Sequence, residues 1–102
     1  MTREQVLLIL RQHQVGLAVR GIKSLAIFGS VARNEASSAS DIDILVDFIG
    51  SATFDGYMET KFYLESLLGC QVDLVVQQAL KPRMRPVVER EAIYVTGLSA
   101  LS

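Results

Sequence analysis

The chain has 102 residues, half of them apolar, and its ten basic and eleven acidic side chains leave a formal net charge of −1. That length supports one domain with a single core, and the balanced charge excludes both a disordered polyelectrolyte and a surface that binds nucleic acid without specificity. One cysteine, Cys70, excludes an intramolecular disulfide and suits a reducing cytoplasm, and Arg11 interrupts the apolar start MTREQVLLILRQHQ too early for a signal peptide or a membrane span. A single cytoplasmic domain over 1–102, ordered over about 2–96, is expected.

In chain order, Val6, Leu7, Ile9, Leu10 and Leu17 recur at helical spacing and predict one amphipathic helix from Thr2 to about Ala18, with Thr2 and Gln5 as a capping box. Gly21 ends that pattern, and Ile22 to Phe28 reads as the first strand. The Gly29-Ser30 turn should open a short helix, Ser30 to about Glu35, whose first N–H groups face outward where an anion can meet them. The polar loop ASSAS (36–40) then delivers the chain to a second strand, Asp41 to about Phe48.

After a turn over 49–52, Thr53 to Leu68 is expected as a helix closed by Gly69, with Phe54, Tyr57, Phe62 and Tyr63 contributing to the core. Val72, Leu74 and Val76 alternate against Asp73 in a third strand, Gln71 to Val76. A last helix lies between Ala79 and Glu91, starting near Pro82 or Pro86, and its basic run from Lys81 to Arg90 reads as a solvated face. Ile93 to Val95 is a candidate edge strand, with fraying from Gly97 onward. The whole predicts an α/β domain: a small mixed sheet of three to four strands, helices packed mainly on one face and carboxylates on the other.

The chemistry concentrates on the second and third strands. Successive strand side chains point to opposite faces, so Asp41 and Asp43 leave one face while Ile42, Ile44, Val46 and Phe48 leave the other. Their Cα atoms stand roughly 6.5 to 7 Å apart, a span across which hard oxygen ligands converge on divalent cations. Asp73 adds a third strand carboxylate, and three such acids together are costly unless a cation neutralises them. Asp47 shares their parity but lies further along, where it reads as the strand's polar exit. His13, alone on a helix, and Cys70, beside the third strand, are assigned no chemistry.

Gly29-Ser30, ten residues, then Asp41-Ile42-Asp43 resembles the signature of the nucleotidyltransferase superfamily that includes DNA polymerase β and the aminoglycoside nucleotidyltransferases. The wording GSVARNEASSASDIDILVD is most similar to the minimal nucleotidyltransferases of the MntA type, antitoxins paired with HEPN toxins. Asn34 stands where these relatives often have glycine, and the loop lacks their frequent proline. The resemblance implies the minimal nucleotidyltransferase fold, with Asp41, Asp43 and Asp73 as ligands of Mg²⁺ and Asp73 as ligand or base. It further implies that Gly29 and Ser30 grip the phosphates of ATP and that Arg33 contacts a phosphate.

By the same resemblance the reaction is AMP transfer from ATP to a hydroxyl, tyrosine foremost, of a partner HEPN ribonuclease toxin, with no direct nucleic acid or membrane involved. From its size the chain is expected to carry no second domain that recognises an acceptor, so a partner is expected to present it. Two alternatives stand beside that reading. One is a vestigial module that neutralises a toxin by binding alone; the other is a small-molecule adenylyltransferase working as a homodimer.

Overall fold

The computed structural model describes residues 1–35 and 41–95. Helix α1 (Arg3–Gln12) starts in the expected capping box: the Gln5 N–H donates to Thr2 Oγ1 at 3.2 Å, and the Thr2 N–H donates to Gln5 Oε1 at 2.8 Å. The single helix expected as far as Ala18 is broken at His13, and α2 (Gln14–Ala18) continues after it. In an unbroken helix the Ile9 carbonyl would accept from the His13 N–H. Here the His13 ring, through Nδ1, takes that carbonyl at 2.9 Å, and the backbone N–H turns to Leu10 at 3.2 Å. The redirected α2 places Leu17 fully in the core.

Strand β1 (Ile22–Phe28) leads directly into the one-turn helix α3 (Gly29–Ala32), which is shorter than expected. Asn34 takes the left-handed conformation at φ 60° and ends the turn, a position its side chain tolerates better than most. Strand β2 (Ile42–Phe48) pairs antiparallel with β1, placing Phe28 opposite Asp43. The long helix α4 (Phe54–Leu68) begins at Thr53, whose hydroxyl accepts from the Gly56 N–H at 3.0 Å, and ends at Gly69 in the left-handed region at φ 69°. It returns the chain to β3 (Val72–Val76), parallel to β2.

A 3-10 turn over Gln77–Ala79 precedes helix α5 (Arg85–Glu91), with Pro86 in its first turn, where a missing N–H costs nothing. Strand β4 (Ile93–Tyr94) then pairs antiparallel with β1, completing a four-stranded mixed sheet in the order β3-β2-β1-β4. The loop 36–40 and the fraying expected from Gly97 lie outside the described residues. Among the described residues no helix is long and apolar enough to cross a membrane.

The sheet separates two apolar clusters. On one face Leu25, Ile27, Ile42, Ile44 and Val46 pack with Val6, Leu10 and Leu17 of α1 and α2 and with Leu64 and Leu68 of α4. On the other, Ala26 and Leu45 are covered by Val88 of α5, with Leu80 and Ala92 beside it. Helices α1, α2 and α4 therefore share one face as expected, with Val31 and Ala32 of α3 in the same cluster, while α5 sits over the middle of the carboxylate face. Leu45 explains that placement, because it lies between Asp43 and Asp47 and needs an apolar cover. The aromatic expectation holds in part. Tyr57 and Tyr63 pack against the main cluster, but Phe54 and Phe62 are 77% and 58% exposed.

Candidate active site

The site forms where the end of β1 meets the starts of β2 and β3. Gly29 follows Phe28, and Phe28 faces Asp43 across the antiparallel pair, so the Gly29 backbone lies against the Asp43 side chain. Gly29 has φ +69°, and a Cβ added there would strike the Asp43 carboxylate, with Cγ only 3.1 Å away. Glycine is thus demanded twice, by backbone conformation and by the close approach.

Asp43 and Asp73 are direct partners in the parallel register. Adjacent strands stand about 4.8 Å apart, so the two carboxylates leave the sheet side by side. Burial raises the Asp43 pKa first; the Asp73 charge, a hydrogen bond from protonated Asp43 to Asp73, and the Asp41 charge raise it further, and Arg33 partly opposes them. Asp41 stands just ahead of β2 and is exposed. As placed, no three acidic, imidazole or thiol groups among the described residues converge on one point. The donor set nevertheless fits a hard divalent cation: two carboxylates adjoin on neighbouring strands, where a positive ion would relieve the repulsion that helps raise the Asp43 pKa, and a third stands at the rim.

Ser30 is half-buried in the first turn of α3, and no side-chain oxygen caps that helix. Arg33 occupies its C-cap. Its Nε donates to Glu35 Oε2 at 2.9 Å and its Nη1 to Glu91 Oε2 at 2.8 Å. The expected phosphate contact thus belongs to a guanidinium that the structure joins to two carboxylates, both of which hold its pKa above the ordinary arginine value. Glu91 carried no signal in the sequence, being a lone acid in a basic helix. Nor did Arg3, whose Nη1 donates to the Ala32 carbonyl at 3.1 Å and ties α1 to the end of α3.

Asp47 stays apart from the other acids. It lies beyond Leu45 on the same face and accepts from Gln78 Nε2 at 2.7 Å. A shallow cavity of about 500 Å³ lined by Gly50, Ser51, Ala52, Val76, Gln78 and Ala79 lies at the opposite strand ends from Asp43 and Asp73 and has no part in the site. Cys70 packs against the main core, and burial pushes its thiol pKa up, away from the reactive thiolate.

The profile of the nucleotidyltransferase domain matches residues 4–95, nearly the full chain. The chain belongs to the nucleotidyltransferase domain family. This nucleotidyltransferase is 42% identical over 96 residues to the protein adenylyltransferase MntA of Thermococcus cleftensis, covering 93% of the present chain and 97% of that relative. A solved structure provisionally described as a minimal nucleotidyltransferase superposes with a TM-score of 0.79 at 42% identity, over 91% of this chain and 95% of the other. A complex of a tri-AMPylated Shewanella oneidensis HEPN toxin with an MNT antitoxin matches with a TM-score of 0.60, over 86% of this chain and 71% of the other; at 22% identity that likeness speaks for the fold. The minimal nucleotidyltransferase fold expected from the sequence is the fold observed, the chain is a nucleotidyltransferase, and its Thermococcus relative is named a protein adenylyltransferase.

Proposed function

We propose that this nucleotidyltransferase moves AMP from ATP to a hydroxyl, tyrosine foremost, of a partner HEPN ribonuclease toxin in the cytoplasm, and acts as the antitoxin. The carrying observation is the meeting of Asp43 with Gly29 on one side and Asp73 on the other. The naming of the Thermococcus relative as a protein adenylyltransferase and the AMPylated HEPN toxin in the Shewanella complex support the choice of acceptor.

In this reading Gly29 brings its backbone close to the phosphates because no Cβ stands in the way, and the Ser30 hydroxyl donates to a phosphate oxygen. Arg33 supplies a fixed positive charge beside them. Asp41, Asp43 and Asp73 would hold Mg²⁺, which when bound neutralises phosphate charge and favours the ionised acceptor. Asp73, exposed on β3, is open to an incoming acceptor. A tyrosine hydroxyl, with an unperturbed pKa near ~10, gives its proton to that carboxylate as its oxygen bonds to the α-phosphorus. The bond from the α-phosphorus to the bridging oxygen breaks in line, and pyrophosphate leaves with that oxygen's electron pair.

ATP labelled at the α-phosphate should deposit its label on the partner when Mg²⁺ is present, and ATP labelled at the γ-phosphate should not. Equal transfer of both labels, or of γ alone, would replace adenylyl transfer with phosphorylation. Failure of both labels, with the partner still bound and silenced, would leave neutralisation by binding.

A further inference from the structure

Glu91 lies outside the constellation from Gly29 to Asp73, yet it closes onto it. It is the last residue of α5, where the negative end of the helix dipole disfavours an acid and favours a base such as its neighbour Arg90. Local preference thus argues against Glu91, and a side chain that breaks a local rule calls for a compensating contact. That contact is Arg33, 58 residues away in sequence, whose Nη1 donates to Glu91 Oε2 at 2.8 Å.

The Glu91 side chain is only 29% exposed, and Val88, one turn earlier, anchors α5 against Leu45 and Ala26. Glu35 takes the Nε edge of the same guanidinium from the adjoining loop. Arg33 is therefore held from two directions by two separate elements, one helical turn after Gly29, whose carbonyl accepts from the Arg33 N–H at 3.2 Å. Guanidinium has five N–H donors, so pairing at Nε and through Nη1 does not exhaust it.

We infer that Glu91 is a positioning residue for the transfer reaction: it fixes the Arg33 guanidinium at the rim of the Asp43–Asp73 site, ready to meet the phosphates of the nucleotide. This rests on the reading above, in which Arg33 meets phosphate. An unrestrained arginine gives up rotamer freedom when it binds an anion, whereas one already held gives up less and binds more tightly for it. Through Glu91, the docking of α5 becomes a condition for nucleotide affinity.

The test is calorimetric titration of Mg²⁺·ATP into the full chain as wild type, Glu91→Ala, Glu91→Gln, Arg33→Ala and the Arg33→Ala/Glu91→Ala pair, with thermal unfolding of each. Glu91→Ala should weaken binding roughly tenfold, the size expected for coupled charged partners. Glu91→Gln, which keeps an acceptor oxygen without the charge, should fall between and melt close to the wild type. The double variant should bind no more weakly than Arg33→Ala. Additive losses in the double variant would assign Glu91 a merely structural part, and unchanged or tighter binding by Glu91→Ala would overturn the inference. A wild type that binds no Mg²⁺·ATP would overturn the proposed function and this inference with it; a wild type that binds while Glu91→Ala matches it overturns the inference alone.

Discussion

At Gly29 two demands coincide: a backbone at φ +69° and a gap against the Asp43 carboxylate that a methyl group would fill. Gly29→Ala should cost on the order of 1–3 kcal/mol in urea unfolding from backbone strain and the forced shift of Asp43, and nucleotide transfer should be lost. An alanine variant with wild-type stability and activity would contradict the close approach. Asp43 makes a second prediction through its raised pKa. A carboxyl whose folded pKa lies above its unfolded value binds its proton more tightly when folded, so its ionisation opposes folding. The penalty is absent below the unfolded carboxylate pKa and grows as pH rises through the folded value. Asp43→Asn should therefore raise the melting temperature at pH 7 without metal, and the gain should vanish towards pH 3; a constant gain at every pH would trace it to packing instead.

Among the elements, those marked by local signals lie close to where the sequence places them. The alternation of β2 and β3, the start of α4 near Thr53 and the Gly69 terminator are each settled within a few residues. The break at His13 turns on a side-chain nitrogen taking a carbonyl from the backbone, a competition that hydrophobic spacing does not register. Likewise the apolar residues of α5 mark a helix but not the face of the sheet that receives it, because Leu45 must first be brought beside Ala26. The site divides in the same way. Strand parity puts Asp43 and Asp73 on one face, where the register makes them partners, whereas Glu91 reaches Arg33 only through the tertiary placement of α5. That placement depends on Val88, buried at 4% exposure, beside Val87 at 45%. Val88→Ala should lose roughly 1–3 kcal/mol by transfer and cavity terms and reduce nucleotide affinity with it, while Val87→Ala should change neither in urea unfolding and nucleotide titration. Equal effects from the two valines would contradict the docking of α5 through Val88.

At the scale of the whole molecule, a four-stranded sheet with an apolar core on each face is used to bring two carboxylates of parallel strands beside a glycine at the end of an antiparallel one. In the proposed function the acceptor hydroxyl comes from another protein. The most direct measurement is the intact mass of every polypeptide that co-purifies with the chain after incubation with Mg²⁺ and ATP, compared with the Asp41→Asn/Asp43→Asn variant. The wild type should add one or more AMP units to a partner, and the variant should add none. A partner that stays bound and gains no mass with the wild type would contradict the assignment of these carboxylates to protein adenylylation.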